Sequence, residues 1–172
     1  MNFSDWLVYI EQQHTKTIDL GLDRIRLVAR SLGLLELGCP IILVAGTNGK
    51  GSTVAALEAI YLNNDFTVFA STSPTLFSYH ERLRINGKNA LDEDFCEAFE
   101  RINQAREKTP LTFFEFSALA VLFIIKKQAE KSKRSIALLE IGLGGRLDAF
   151  NMLEPDLSII TSIDLDHQAF LG

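Results

Sequence analysis

The sequence predicts an α/β fold, a P-loop-containing, mostly parallel β-sheet flanked by helices. Three observations carry that prediction. Short apolar runs without polar alternation recur along the chain, as in strands buried on both faces. Stretches of helical periodicity separate them, and helical crossovers are what parallel strands require. A glycine-rich segment stands where the first apolar run gives way to a helix.

The elements follow in order. Phe3, Trp6, Leu7 and Ile10 recur at i, i+3, i+4, i+7, as do Ile25, Val28, Ala29 and Leu32, so two amphipathic helices open the chain. HTKTIDLGLDR breaks the period between them and reads as a loop. After Pro40, Ile41 to Ala45 reads as a buried strand, and so do Thr67 to Ala70, Ile136 to Leu139 and Leu157 to Ile160. Helices are predicted over Thr53 to Leu62, Asp92 to Glu107 and Phe114 to Gln128. Residues 71–89 are polar and contain Pro and Gly, so they read as one long loop, a length usually tied to function. The last strand is expected to reach Ile163, with a polar DLDHQ and no closing helix after it, the pattern of a truncated domain.

Composition narrows the class. Of 172 residues 47% are hydrophobic and 23% charged, enough apolar material for a real core. A net charge of −5 supplies no field that draws nucleic acid or an anionic membrane. Cys39 and Cys96 are too few for a disulfide framework and fit a reducing cytosol. MNFSDWLVYI has no basic start and does not read as a signal peptide. The apolar run Phe116 to Ile125 falls short of the roughly 20 residues that span a bilayer. A cytoplasmic protein is expected.

Ala45 to Thr53, AGTNGKGST, carries the chemistry. A phosphate needs converging backbone N–H groups, and glycines at 46, 49 and 51 allow that approach. A helix N-terminus adds partial positive charge, Lys50 adds a full one, and Ser52 or Thr53 offers a hydroxyl to a nucleotide-bound metal ion. The segment departs from G-x-x-x-x-G-K-[ST]: Val44 occupies the first glycine position and Gly51 follows the lysine. Glu140 closes the apolar run SIALLE, where a carboxylate beside the phosphate loop can hold Mg²⁺ directly or through water.

GTNGKGS resembles the phosphate-binding loop of the folylpolyglutamate synthase and dihydrofolate synthase family, a branch of the Mur ligase superfamily. IDLGLDR, TSPTLFSYHERLRING, TFFEFSALA, LEIGLGGRLDAFN and TSIDLDHQAFLG resemble its other signature segments, in order and at similar spacing. The resemblance implies a fold like the Mur-ligase central domain, with residues 1–172 as the N-terminal part of an ATP-binding domain. It implies an ATP- and Mg²⁺-dependent ligase: a pterin carboxylate, of dihydropteroate or folate, is activated as an acyl phosphate and captured by the amine of L-glutamate. A carboxylate repels an amine until it gains a leaving group, and phosphoryl transfer itself rests on positioning and charge neutralisation.

The same resemblance assigns residues. Gly46, Thr47, Asn48, Gly49, Lys50, Gly51, Ser52 and Thr53 would bind ATP, and Ser73, Glu140 and His167 would be the Mg²⁺ ligands, with Lys50, Glu140 and His167 as the catalytic set. Gly21, Leu22 and Asp23, then Thr112, Phe113, Phe114 and Glu115, then Leu147, Asp148 and Ala149 would line the pterin site. On residue type alone Phe113 and Phe114 also fit a core. Arg146 fits either an anion or a loop brace, and Arg82 and Arg84 fit a solvated loop face. Thr75 stands where the family usually has histidine, and Phe150 where it usually has threonine, which bears on pterin specificity. The family's chain continues with a modified lysine, the rest of the ATPase domain and a C-terminal domain. This chain alone is therefore expected to be inactive, and uncovered apolar edges would favour self-association, although the family is usually monomeric. Two alternatives stand beside the folate ligase: a Mur-type ligase acting on a cell-wall precursor, and a nucleotide-binding fragment without turnover.

Overall fold

The computed structural model describes residues 1–13 and 21–164. Six strands, β1 (Ile41–Ala45), β2 (Thr67–Ser71), β3 (Arg84–Ile85), β4 (Lys88–Asn89), β5 (Ser135–Glu140) and β6 (Leu157–Ile160), form one sheet in the order β4-β3-β2-β5-β1-β6. β2, β5, β1 and β6 run parallel. β3 and β4 join antiparallel. The sheet is thus mixed, mostly parallel and flanked by helices, as the apolar runs predict for its centre.

Residues 71–89 are not one long loop. Asn86 and Gly87, at φ 52° and 76°, form the two-residue turn of a hairpin, and Asn-Gly is the pair that tolerates positive φ at both positions. Asn86 then locks this hairpin to β2: its amide donates to the Val68 carbonyl, and its side-chain oxygen accepts from the Val68 amide, both at 2.9 Å.

The helices are α1 (Phe3–Glu11), α2 (Asp23–Ser31), α3 (Lys50–Leu62), α4 (Asp92–Ala105) and α5 (Phe113–Ala129). Strand residues alternate between two cores. Ile41, Leu43, Phe69, Ala137 and Leu139 pack with α1, α2, α4 and α5, whereas Ile42, Val44, Val68, Ala70, Ile136 and Leu138 pack with Val54, Leu57 and Tyr61 of α3. α5 is apolar almost all round because it is the central helix, buried from Glu115 through Leu122. The predicted start of α3 at Thr53 is three residues late, since Gly49 in the left-handed region caps the helix and Lys50 is its first residue. β6 departs from the expectation of burial on both faces: Leu157 and Ile160 are 51% and 64% exposed, and its only strand partner among the described residues is β1. It ends at Ile160, short of Ile163. Among the described residues no helix is long and apolar enough to cross a membrane.

Candidate active site

The parallel strands deliver their C-terminal ends to one side of the sheet, where α/β folds place ligands. There β1 passes into the glycine turn and α3. Gly46 has φ +134°, and a Cβ on it would lie 2.2 Å from Thr161 Oγ1 and 2.8 Å from the Ser162 carbonyl oxygen, so the close approach requires glycine. The first α-helical bond runs from the Thr53 amide to the Gly49 carbonyl at 2.9 Å. The N–H groups of Lys50, Gly51 and Ser52 therefore have no acceptor within the helix, and with its dipole they make an anion site. Lys50 Nζ spans the turn, donating to the carbonyls of Gly46 (2.7 Å) and Thr47 (3.1 Å). Thr53 Oγ1 is spent on the Gly49 carbonyl (2.9 Å), which leaves the exposed Ser52 as the available hydroxyl.

A segment the sequence reading missed laces this turn in place. The Thr47 amide donates to the Ser162 carbonyl (2.7 Å), the Asn48 amide to Ser162 Oγ (3.1 Å), and Thr161 Oγ1 to the Asn48 carbonyl (2.6 Å). The signal was strand order: β6 lies beside β1, so residues following β6 must meet residues following β1. A cleft of about 280 Å³ opens there, lined by Gly46, Thr47, Lys50, Gly142, Gly145 and Ser162 among others.

Glu140, the last residue of β5, is 5% exposed. Its Oε2 accepts from the Ser73 amide at 3.0 Å and lies 3.7 Å from where a Cβ on Gly51 would sit. Burial pushes its carboxyl above the ordinary range, opposed by the Ser73 amide and by the positive charges of Lys50 and Arg84. A buried carboxylate against a phosphate loop, with a serine beside it, is a hard-oxygen donor set that fits Mg²⁺. Ser73 and Glu140 are thus brought together, while His167 lies outside the described residues. Among the described residues no group of three His, Cys, Asp or Glu side chains could hold a metal ion.

The three segments assigned to the pterin site also converge. Arg24, one residue past Asp23, pairs with Glu115 at 2.9 Å and so ties the start of α2 to the start of α5. Leu22 is buried and Asp23 exposed. Glu115 is in the same bonds a helix cap: its carboxylate accepts from the Thr112 amide (2.8 Å) while Thr112 Oγ1 accepts from the Glu115 amide (3.2 Å). The third segment packs on both helices, with Phe114 and Phe150 edge to face at 6.4 Å. Its Asp148 is buried and accepts from the amides of Gly142 (2.9 Å), Leu143 (3.0 Å) and Phe150 (3.0 Å). Burial outweighs those bonds and raises its pKa to about 6. Leu147 and Arg146 face outward, Ala149 and Phe150 inward. Phe150 fills core space, and Thr75 is half-buried on the neighbouring loop.

Two arginines depart from the solvated loop face. Arg84 clamps Glu58 of α3 through Nε (3.1 Å) and Nη2 (2.7 Å), and reaches Thr72 Oγ1 with Nη1 (3.1 Å). It thereby joins the phosphate-loop helix to the residue preceding Ser73. Arg82 turns inward among aromatic rings. Neither inward turn is evident from the sequence, because Glu58, Phe113 and Phe114 come from elements remote along the chain.

No family model matches the chain. Individual proteins do. The dihydrofolate synthase/folylpolyglutamate synthase of Haemophilus influenzae is 46% identical over 169 residues, 98% of this chain and 38% of that protein. Its Escherichia coli counterpart is 42% identical, again over 98% of this chain and 39% of the relative. Among solved structures, E. coli FolC in complex with DHPP and ADP matches with a TM-score of 0.95 at 41% identity, covering 100% of this chain and 41% of that one. The bifunctional folylpolyglutamate synthase/dihydrofolate synthase of Yersinia pestis, complexed with AMPPNP and Mn ion, gives 0.89 at 42% identity, covering 100% of this chain and 41% of that one. The chain therefore spans about two fifths of the length of these relatives. Over nearly its whole length it is homologous to the dihydrofolate synthase/folylpolyglutamate synthases, and it corresponds to an N-terminal portion of them.

Proposed function

We propose that residues 1–172 are the N-terminal part of the ATP-binding domain of a ligase that joins L-glutamate to a pterin carboxylate, of dihydropteroate, folate or both. The single observation that carries this reading is the placement of Glu140, a buried carboxylate held by the Ser73 amide against the glycine turn. Turn, lysine and helix N-terminus would receive the ATP phosphates. Glu140 and Ser73, with His167, would hold Mg²⁺, which when bound neutralises phosphate charge. The convergent segments around Phe114 and Asp148 would hold the pterin, with Thr112 and Glu115 fixing the start of α5. The E. coli relative holds DHPP and ADP and the Y. pestis relative AMPPNP and Mn, in keeping with ATP and a divalent cation here. Both cysteines are free thiols, which suits the cytoplasm.

A second reading applies to this polypeptide by itself: it binds nucleotide without turnover. The two-fifths coverage favours it. The test is phosphate release from ATP by the longest natural polypeptide containing this sequence, supplied with dihydropteroate and glutamate or with a cell-wall precursor. Release dependent on both pterin and glutamate supports the ligase. Release only with the cell-wall precursor overturns it, and nucleotide binding without release under either condition supports the second reading.

A further inference from the structure

Arg82 is an arginine drawn in from solvent without an acceptor. Its Nε is buried with no hydrogen-bond partner, and no hydrogen bond or ion pair of its guanidinium occurs among the described residues. The other drawn-in arginines contrast with it: Arg84 is satisfied by Glu58 and Thr72, and Arg106 by Tyr9, Gln13, Asn103 and the Thr109 carbonyl. What surrounds Arg82 is aromatic. Its Cζ lies 5.3 Å from the Tyr79 ring centroid, 5.6 Å from Phe113 and 5.9 Å from Phe114. These faces hold a cation in place and accept none of its N–H bonds. The guanidinium is thus fixed with no protein acceptor on its donors among the described residues, Nε being the buried one, a group disposed to take a planar anion.

Position identifies the anion. Arg82 lines a recess of about 10 Å³ with Ser71, Thr72, Ser73, Phe114 and Phe150, room for a carboxylate oxygen but not for a ring, which would lie outside its mouth. That recess lies on the α5 side of the sheet and shares no lining residue with the cleft over the glycine turn. The nucleotide's phosphates fall to the cleft, so Arg82 faces the second substrate. Ser73 joins the two, since its amide holds Glu140 beside the phosphate loop. On the ligase reading that substrate is the acid to be activated, and Arg82 beside Ser73 stands where its carboxylate must meet the phosphoryl-transfer centre.

We propose that Arg82 is a binding residue for the acceptor, gripping the aryl carboxylate that is to be activated and orienting it beside Ser73. This rests on the ligase reading above and adds to it the residue that holds the reacting group. The geometry also gives Tyr79 a part: its hydroxyl is spent on Ser117 Oγ at 2.8 Å, so its ring is fixed as one wall of the cage.

The test is a titration of the 172-residue chain followed by ¹⁵N–¹H correlation spectra that include arginine Nε–H. The ring currents of Tyr79, Phe113 and Phe114 set the Arg82 signal apart, and its loss in Arg82→Gln assigns it. With 4-aminobenzoate the signal is expected to move and saturate, while neutral 4-aminobenzamide leaves it in place. In Arg82→Gln, with an otherwise native spectrum, the Ser73 amide response to 4-aminobenzoate should weaken about tenfold. Equal responses to acid and amide, or undiminished binding by Arg82→Gln, overturn the proposal. Mg²⁺-ATP read at the amides of Gly49 to Ser52 separates the two levels. Movement there with a silent Arg82 defeats the proposal alone, and silence at both defeats the ligase reading with it.

Discussion

Two segments flank Glu140 and differ in what they depend on. The glycine turn depends on backbone conformation: Gly46 and Gly49 adopt φ values other residues resist, and their turn's amides and carbonyls are tied down by the Thr161 and Ser162 hydroxyls, the Ser162 carbonyl and Lys50. The arm from Thr72 to Asn89 is fixed by side chains. Glu81 accepts from three successive amides, Leu76 (2.7 Å), Phe77 (2.9 Å) and Ser78 (3.0 Å), while Arg84 bolts the arm to Glu58. The difference teaches where tolerance lies. A backbone-built loop fails at one added methyl group, whereas a side-chain-built arm fails at a charge.

The largest effect is expected at Gly46. Gly46→Ala forces a Cβ into Thr161 and Ser162 at a positive φ, and should cost about 4 to 5 kcal/mol in urea unfolding and abolish nucleotide binding. On the arm, Glu58→Ala removes the carboxylate that Arg84 clamps, with side chains 10% and 23% exposed, and should cost about 2 to 3 kcal/mol, because Thr72 and the charges of Glu81 and Glu140 remain near the guanidinium. Glu58→Ala together with Arg84→Met should recover part of that loss, since both charges then go.

A third segment, Gly142 to Asp148, borders the cleft and mixes both means, because one carboxylate caps two backbone amides beside glycines. Its Asp148 has a folded pKa of about 6 against an ordinary 3.8. The native state binds the extra proton between those values, so stability falls as pH rises through that window, by about 3 kcal/mol. Relative to Asp148→Asn, the parent should lose that much between pH of about 4 and about 6 in urea midpoints. A parallel pair of curves would remove the burial argument.

The smallest effect belongs to Glu81, whose pKa is lowered chiefly by the Leu76 amide, with Phe77 and Ser78 adding to it. Its contribution is complete above the unfolded value and is lost as pH falls through the folded one. Glu81→Gln should speed hydrogen exchange at Leu76, Phe77 and Ser78 at neutral pH, leaving the Gly49 to Ser52 amides unchanged.

Legibility in the sequence divides along the same line. β1, β2, β5 and the helices were readable because apolar periodicity is local, and the glycine turn because backbone demands write themselves as glycines. The hairpin over Arg84 to Asn89 had a local signal too, Asn86-Gly87, outweighed by the polarity around it. β6 misled because an apolar run reports preference for burial, not whether a neighbour covers it. The Arg84–Glu58 pair, the contacts of Arg82 with Phe113 and Phe114, and the Ser162 lacing were invisible, since each joins residues that only the tertiary fold makes adjacent. Glu115 and Asp148, expected as pocket residues, also accept backbone amides through Glu115 Oε2 and both Asp148 oxygens, a structural role set by neighbours two to six positions away.

The most direct measurement is isothermal titration of Mg²⁺-ATP into this chain and into Lys50→Ala. Lys50 both braces the turn and supplies its charge, so its removal should weaken binding by about 1.5 to 3 kcal/mol, near tenfold or more in affinity. Equal heats and equal affinities for the two proteins would contradict a phosphate-binding role for the glycine turn.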